Sequence, residues 1–150
     1  MDNQEIIDQL KTAYGMELET VQNYIAASVN LDGVRSDVIQ KALSSDIADE
    51  LGHAQAIANR IKTIGGSVPG SFENECSQDS LQPVEDSTDV VSVIKGVIAA
   101  EEGAMAQYNR IIKLCDGVDY VTQDMAVTLL AGEEVHRREF LGFLTEYEKG

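Results

Sequence analysis

DELGHAQ, residues 49–55, sets Glu50 and His53 three residues apart in a chain that holds only two histidines. The other, His136, lies in GEEVHRR, residues 132–138, and also follows a glutamate by three, Glu133. For both histidines to find a glutamate at that offset by chance is roughly a one in a hundred event. On a helix, residues three apart share a face, so each pair can aim a carboxylate and an imidazole at one point. What the pairs can do depends on whether the two stretches are helical and whether they face each other.

Apolar residues recur at three- and four-residue spacing in four long segments, which predicts helices over residues 3–30, 36–65, 89–115 and 120–148. The first carries Ile6, Leu10, Ala13, Val21 and Tyr24 on one face. The second follows Ser36, read as an N-cap, and stripes Ile39, Leu43, Ile47, Ile57, Ile61 and Ile64 until Gly65-Gly66 stops it. The third stripes Val91, Ile94, Ile98, Met105, Tyr108 and Ile112, and the fourth Leu129, Phe140 and Leu144.

Residues 67–87, SVPGSFENECSQDSLQPVEDS, hold both prolines and read as a loop. Helices of about 28 residues are roughly 42 Å long, and about 21 extended residues reach some 70 Å, so this loop can cross the whole length of a bundle. LDGVRS and CDGVDY are short and join antiparallel neighbours. The expectation is an all-α, antiparallel four-helix bundle in one domain, with a long crossover between helices two and three that leaves those two parallel.

A formal charge of −15 argues against a nucleic-acid surface, which needs clustered Lys and Arg, and suits attraction of cations. The opening MDNQEIIDQL lacks a basic region ahead of an apolar core, and no stretch approaches eighteen apolar residues, so neither a signal peptide nor a membrane span is expected. A cytoplasmic protein is the corresponding expectation. Cys76 and Cys115 are too few for a disulfide framework or a CxxC metal knuckle and read as free thiols.

Polar residues on the apolar stripes carry the chemistry. Glu17 falls on the stripe Leu10, Ala13, Val21, Tyr24, and Glu101 on the stripe Ile94, Ile98, Met105, Tyr108, each with a tyrosine seven residues later. Glu50 and His53 lie between Ile47 and Ile57, and Glu133 and His136 between Leu129 and Phe140. Four carboxylates and two imidazoles would converge at mid-height, at a cost of many kcal/mol unless the charge is compensated. No Lys or Arg falls on these stripes; two divalent cations would compensate. One Glu from each of two helices plus Glu-x-x-His from the other two is the donor set of ferritin-like dinuclear carboxylate sites, with the pair glutamates as bridges. Such oxygen-rich ligation suits iron or manganese, with zinc and copper as competitors. Glu102 is the alternative to Glu101 on the third helix.

LKTAYGMELETVQNY (10–24), DELGHAQAIANRIKTIGGSVP (49–69) and DYVTQDMAVTLLAGEEVHRREFL (119–141) resemble the first-, second- and fourth-helix motifs of the bacterioferritin-like branch of the ferritin superfamily, with a Dps-like branch as the alternative placement. The resemblance implies two Fe ions held by Glu17, Glu50, His53, Glu101, Glu133 and His136, which would serve as both metal ligands and catalytic residues. It implies a ferroxidase that oxidises Fe(II) with O2 or H2O2 for iron storage or detoxification, in a homo-oligomer. Leu51 stands where haem-binding relatives carry methionine, so no haem is expected. The chain runs about fourteen residues past His136, too few for a fifth helix, which favours a dodecamer or dimer over a 24-subunit cage. Asp49 resembles a cavity-side iron residue, but Ser45 replaces its histidine companion. Dps-like relatives bind DNA through basic tails, which this acidic chain does not match.

Two other functions fit the same ligands. One is a rubrerythrin-like peroxidase, although the paired CxxC motifs of its rubredoxin module are absent from the sequence. The other is a non-enzymatic metal-binding bundle. Tyr24 and Tyr108 are expected to hydrogen-bond ligand carboxylates from within the core. Glu19, Glu102 and Glu134 are expected in solvent or beside the ligands. Gly15, Gly52, Gly103 and Gly132, each near one of the four glutamates, cost about 1 kcal/mol apiece in a helix. They imply either close helix approach or a locally adaptable site.

Overall fold

In the computed structural model, which describes residues 3–149, the periodic segments form four long helices, with no strand among the described residues. α1 spans Gln4–Asn30, α2 Asp37–Thr63, α3 Val90–Cys115 and α4 Tyr120–Tyr147. Asp89 caps α3 by accepting from the Ser92 amide at 3.1 Å, and Asp119 caps α4 by accepting from the Thr122 amide at 3.0 Å. Gly65, at φ 95°, ends α2, and the Gly66 amide donates back to the Ile61 carbonyl.

Ser36 is not the side-chain cap expected of it. The chain enters α2 through a 3-10 turn, Val34–Ser36, so Ser36 already has helical backbone, and its hydroxyl donates back to the Asp32 carbonyl at 2.7 Å.

α1 packs on α2 and α3 on α4 as two hairpins joined through α1 and α3. Tyr24 and Glu17 on α1 meet Glu101 and Tyr108 on α3 in reversed order, so these helices are antiparallel. Glu50 and His53 on α2 meet His136 and Glu133 on α4 in reversed order too. α2 and α3 therefore run parallel, and residues 64–89 cross the bundle between them, as expected.

The crossover is fastened by a residue expected in solvent or beside the ligands. Glu19 is buried, and its carboxylate accepts from the Ser77 amide at 3.1 Å and the Gln78 amide at 2.6 Å. The crossover also explains two glycines. Gly96 lies so close to the Ser80 carbonyl that a β-carbon would collide with backbone, and one on Gly15 would come within 2.5 Å of Asn74 Oδ1. Nothing lies near Gly52, so close helix approach does not account for that glycine, whereas Gly132 faces the His53 ring of α2, which a β-carbon would meet at 3.3 Å.

The apolar core is in two pieces. Ile6, Leu10, Ile57, Ile61, Ile111 and Leu129 belong to one cluster, Ile39, Leu43, Ile94, Val97 and Phe140 to the other. Tyr108 belongs to the first and Tyr24 to the second, and both hydroxyls reach the polar layer between them. Ile47, Ile64, Met105, Ile112 and Leu144, placed on the stripes by periodicity, are half-buried at the margins.

Candidate metal centre

The polar layer consists of the six side chains singled out from the sequence. Glu17, Glu50, Glu101, Glu133 and His136 are buried and His53 nearly so. Glu101 is 1% exposed while Glu102 faces outward near Arg137, which decides between them which one enters the layer.

Donor atoms gather into two sets of four, each set within 4.8 Å of itself: Glu17, Glu50, His53, Glu133, and Glu50, Glu101, Glu133, His136. Glu50 and Glu133 belong to both. Each histidine turns Nδ1 inward toward the other pair's glutamate, His53 at 2.9 Å from Glu133 and His136 at 3.2 Å from Glu50. The two rings lie 6.5 Å apart, 19° from parallel. The arrangement is a pseudo-two-fold, in which α1 answers α3 and α2 answers α4.

The outer glutamates are held from the opposite helix. Tyr108 donates to Glu17 Oε1 at 2.6 Å, and Tyr24 donates to Glu101 Oε1. The second oxygen of each, Glu17 Oε2 and Glu101 Oε2, is buried without any hydrogen-bond partner. An orphaned buried carboxylate oxygen is costly, and two such atoms beside the shared pair of glutamates are donors that a cation would satisfy. No Lys or Arg ion-pairs with any of the six among the described residues. Four carboxylates balance two divalent cations with both histidines neutral, so the donor set fits a dinuclear centre in charge as well as placement.

Without cations, protons take over the compensation. Burial, a hydrogen bond with Glu101 and repulsion from Glu50 and Glu101 hold the Glu133 carboxyl far above the usual carboxylate range. Burial, reinforced by repulsion from Glu50, also raises Glu101, against the hydrogen bonds from Glu133 and Tyr24. Burial pushes Glu50 up as well, but hydrogen bonds with His136 and His53 outweigh it and leave Glu50 lowered. His136 is pushed up to about 10, because its contacts with Glu50, Asp46, Glu101 and Asp49 outweigh the burial that opposes its charge. The tyrosine hydroxyls, buried and facing carboxylates, rise further above their ordinary value and stay donors.

Asp46, on α2, was not singled out from the sequence. It is buried, its Oδ1 is 3.6 Å from His136 Nε2, and its Oδ2 has no partner. Asp49 Oδ2, on the same side, lies 3.0 Å from His136 Nε2. Asp46 lies three residues after Leu43 and four before Glu50, on the buried face of α2, so the helical period that selected Glu50 would have selected it too. The cysteines, read as free thiols, are unpaired: Cys76 is exposed, and burial raises the Cys115 thiol to about 11.

Known proteins share this arrangement of helices. The chain is 23% identical over 154 residues to a DNA protection during starvation protein from Pyrococcus furiosus, across 100% of this chain and 82% of that one. It is 25% identical to a bacterioferritin from Desulfovibrio desulfuricans, across 96% of this chain and 73% of the relative. Among solved structures, the bacterioferritin-related protein from Bacteroides fragilis, described as a dodecameric thioferritin, superposes with a TM-score of 0.88 at 27% identity, covering 99% of this chain and 89% of that one. The family model of the ferritin-like domain matches residues 7–149, so this four-helix chain belongs to the ferritin family.

Proposed function

We propose that the chain is a ferroxidase whose six converging side chains hold two iron ions, and that it serves iron storage or detoxification. The observation that carries this reading is the pair of four-donor sets sharing Glu50 and Glu133 around orphaned carboxylate oxygens. Glu50 and Glu133 would bridge, Glu17 and Glu101 would each serve one position, and His53 and His136 would be the terminal nitrogen donors. When bound, a di-iron pair supplies two electrons to O2, which with two protons becomes H2O2, or to H2O2, which with two protons becomes water, while each Fe(II) becomes Fe(III).

The protein's own contribution is electrostatic and geometric. Tyr24 and Tyr108 fix one oxygen of each outer glutamate and leave the other free to face a cation. The proton on Glu133 and the extra proton on His136 occupy the donor atoms and leave as cations enter. The apolar clusters on both sides restrict water and hold the six groups in register.

The same reading includes a homo-oligomer, supported by the dodecameric description of the Bacteroides relative and by the exposed apolar residues Ile25, Val29, Leu51, Phe72 and Val135. Free thiols suit a cytoplasmic setting, and no helix among the described residues is long and apolar enough to cross a membrane.

The test is aerobic addition of Fe(II) to the purified protein and to Glu50→Ala, following ferric absorbance and particle size together. Rapid oxidation in the wild type, slowed at least tenfold in the variant, is expected, with iron retained on a large soluble particle. Equal rates would overturn the ferroxidase reading. Turnover that demands an added electron donor and forms no mineral would replace it with a peroxidase.

A further inference from the structure

The pseudo-two-fold fails in one place. The shift in sequence that carries Glu50 onto Glu133 and His53 onto His136 carries Asp49 onto Gly132 and Asp46 onto Leu129. The outward nitrogen of His136 therefore meets two carboxylates, Asp49 at 3.0 Å and Asp46 at 3.6 Å. The outward nitrogen of His53 has no acceptor among the described residues. It lies against the bare backbone of Gly132, where a β-carbon would come within 3.3 Å of Nε2 and Cε1, and the His53 side chain is 15% exposed.

A histidine that ligates through one nitrogen is oriented, and made a stronger donor, by a carboxylate accepting from the other N–H. One histidine of this centre has that support and the other lacks it. We infer that the two metal positions are inequivalent: the His136 position fills first and binds tightly, the His53 position is weak and exchangeable, and Asp46 and Asp49 are the positioning residues that set the difference. This rests on the dinuclear reading above.

Asp46, Asp49 and His136 also form a three-donor group of their own. With Nδ1 given to a cation, however, a neutral His136 ring would carry its hydrogen on Nε2, and that N–H would donate to Asp49, 3.0 Å away, instead of binding a third ion. Asp46 is buried beside the same nitrogen, with Oδ1 3.6 Å from it, and adds its negative charge behind the Asp49 contact.

The experiment is an anaerobic Co(II) titration of the full-length metal-free protein, read by visible absorption and by equilibrium dialysis. Two ions per chain are expected, in steps separated by about 10- to 100-fold in affinity, the usual effect of such outer partners. His53→Ala should lose the weak step and His136→Ala the tight one. Asp46→Asn with Asp49→Asn should weaken the tight step by about 10- to 100-fold and leave the weak step within about twofold. Gly132→Asp supplies the missing acceptor and should tighten the weak step, so the inference stays exposed even if the double variant unfolds. Two equal steps, loss of the tight step in His53→Ala, or a third ion lost with the aspartates would overturn the inference while the dinuclear reading stands. No bound cobalt at all would overturn both.

Discussion

Tyr108 on α3 donates its hydroxyl hydrogen to Glu17 on α1 at 2.6 Å, and Tyr24 on α1 returns the same bond to Glu101 on α3. Each helix therefore sets the orientation of the other's carboxylate, and the antiparallel register of α1 and α3 is coupled to the geometry of the centre. Tyr108→Phe should destabilise the metal-free protein by about 1–3 kcal/mol in chemical denaturation, since it orphans a second oxygen of Glu17. It should also weaken Co(II) binding at the His53 position by about tenfold or more. Tyr24→Phe should do the same at the His136 position. Unchanged stability and binding in both variants would remove the tyrosines from the design of the site.

Metal loading should expel protons and tighten as pH rises. Glu133 holds a proton far above the carboxylate range and His136 holds its charge up to about 10, so at neutral pH both compete with cations. Calorimetry of Mn(II) binding in buffers of different ionisation enthalpy measures the release directly. In the metal-free protein the sign is opposite. The folded-state pKa of His136 is raised from an ordinary 6.5, so its stabilising contribution is complete below about 6.5 and is lost as pH rises through about 10. The Tm of the metal-free wild type should fall across that window, and His136→Gln should flatten the fall. A wild-type Tm that rises with pH there would contradict the charge pattern described for the six side chains.

Much of this was legible before folding. A glutamate on an apolar stripe is a conflict the sequence shows openly, and at Glu17, Glu50, Glu101 and Glu133 the side chain goes into the interior. Choosing Glu101 over Glu102 needed only the helical period. The crosswise partners were not legible, because pairing Tyr24 with Glu101 and Tyr108 with Glu17 depends on the relative height of two helices separated by the long crossover. Glu19 was missed for the same kind of reason, whereas Asp46 lies on the α2 stripe with Leu43 and Glu50 and was open to the same reading as the four glutamates. Glu19 sits where its own helix would expose it, and is buried only by the crossover, a segment distant in sequence.

Glu19 gives a prediction that separates the crossover from the centre. Its carboxylate holds the Ser77 and Gln78 amides, so Glu19→Ala should leave two backbone donors unsatisfied and cost about 2–3 kcal/mol. The loss should appear first as faster amide exchange at Ser77 and Gln78 and as proteolysis near Cys76. Co(II) stoichiometry should be unchanged, because Glu19 is not among the converging donors. Loss of metal binding in this variant would mean that the crossover also supports the site.

The dinuclear centre itself is tested most directly by anomalous diffraction at the iron edge from crystals loaded with Fe(II) under nitrogen. Two peaks per chain are expected, both lying between Glu50 and Glu133, one beside His53 with Glu17 and the other beside His136 with Glu101. A single peak, or peaks confined to surface carboxylates with the six interior side chains unoccupied, would contradict it.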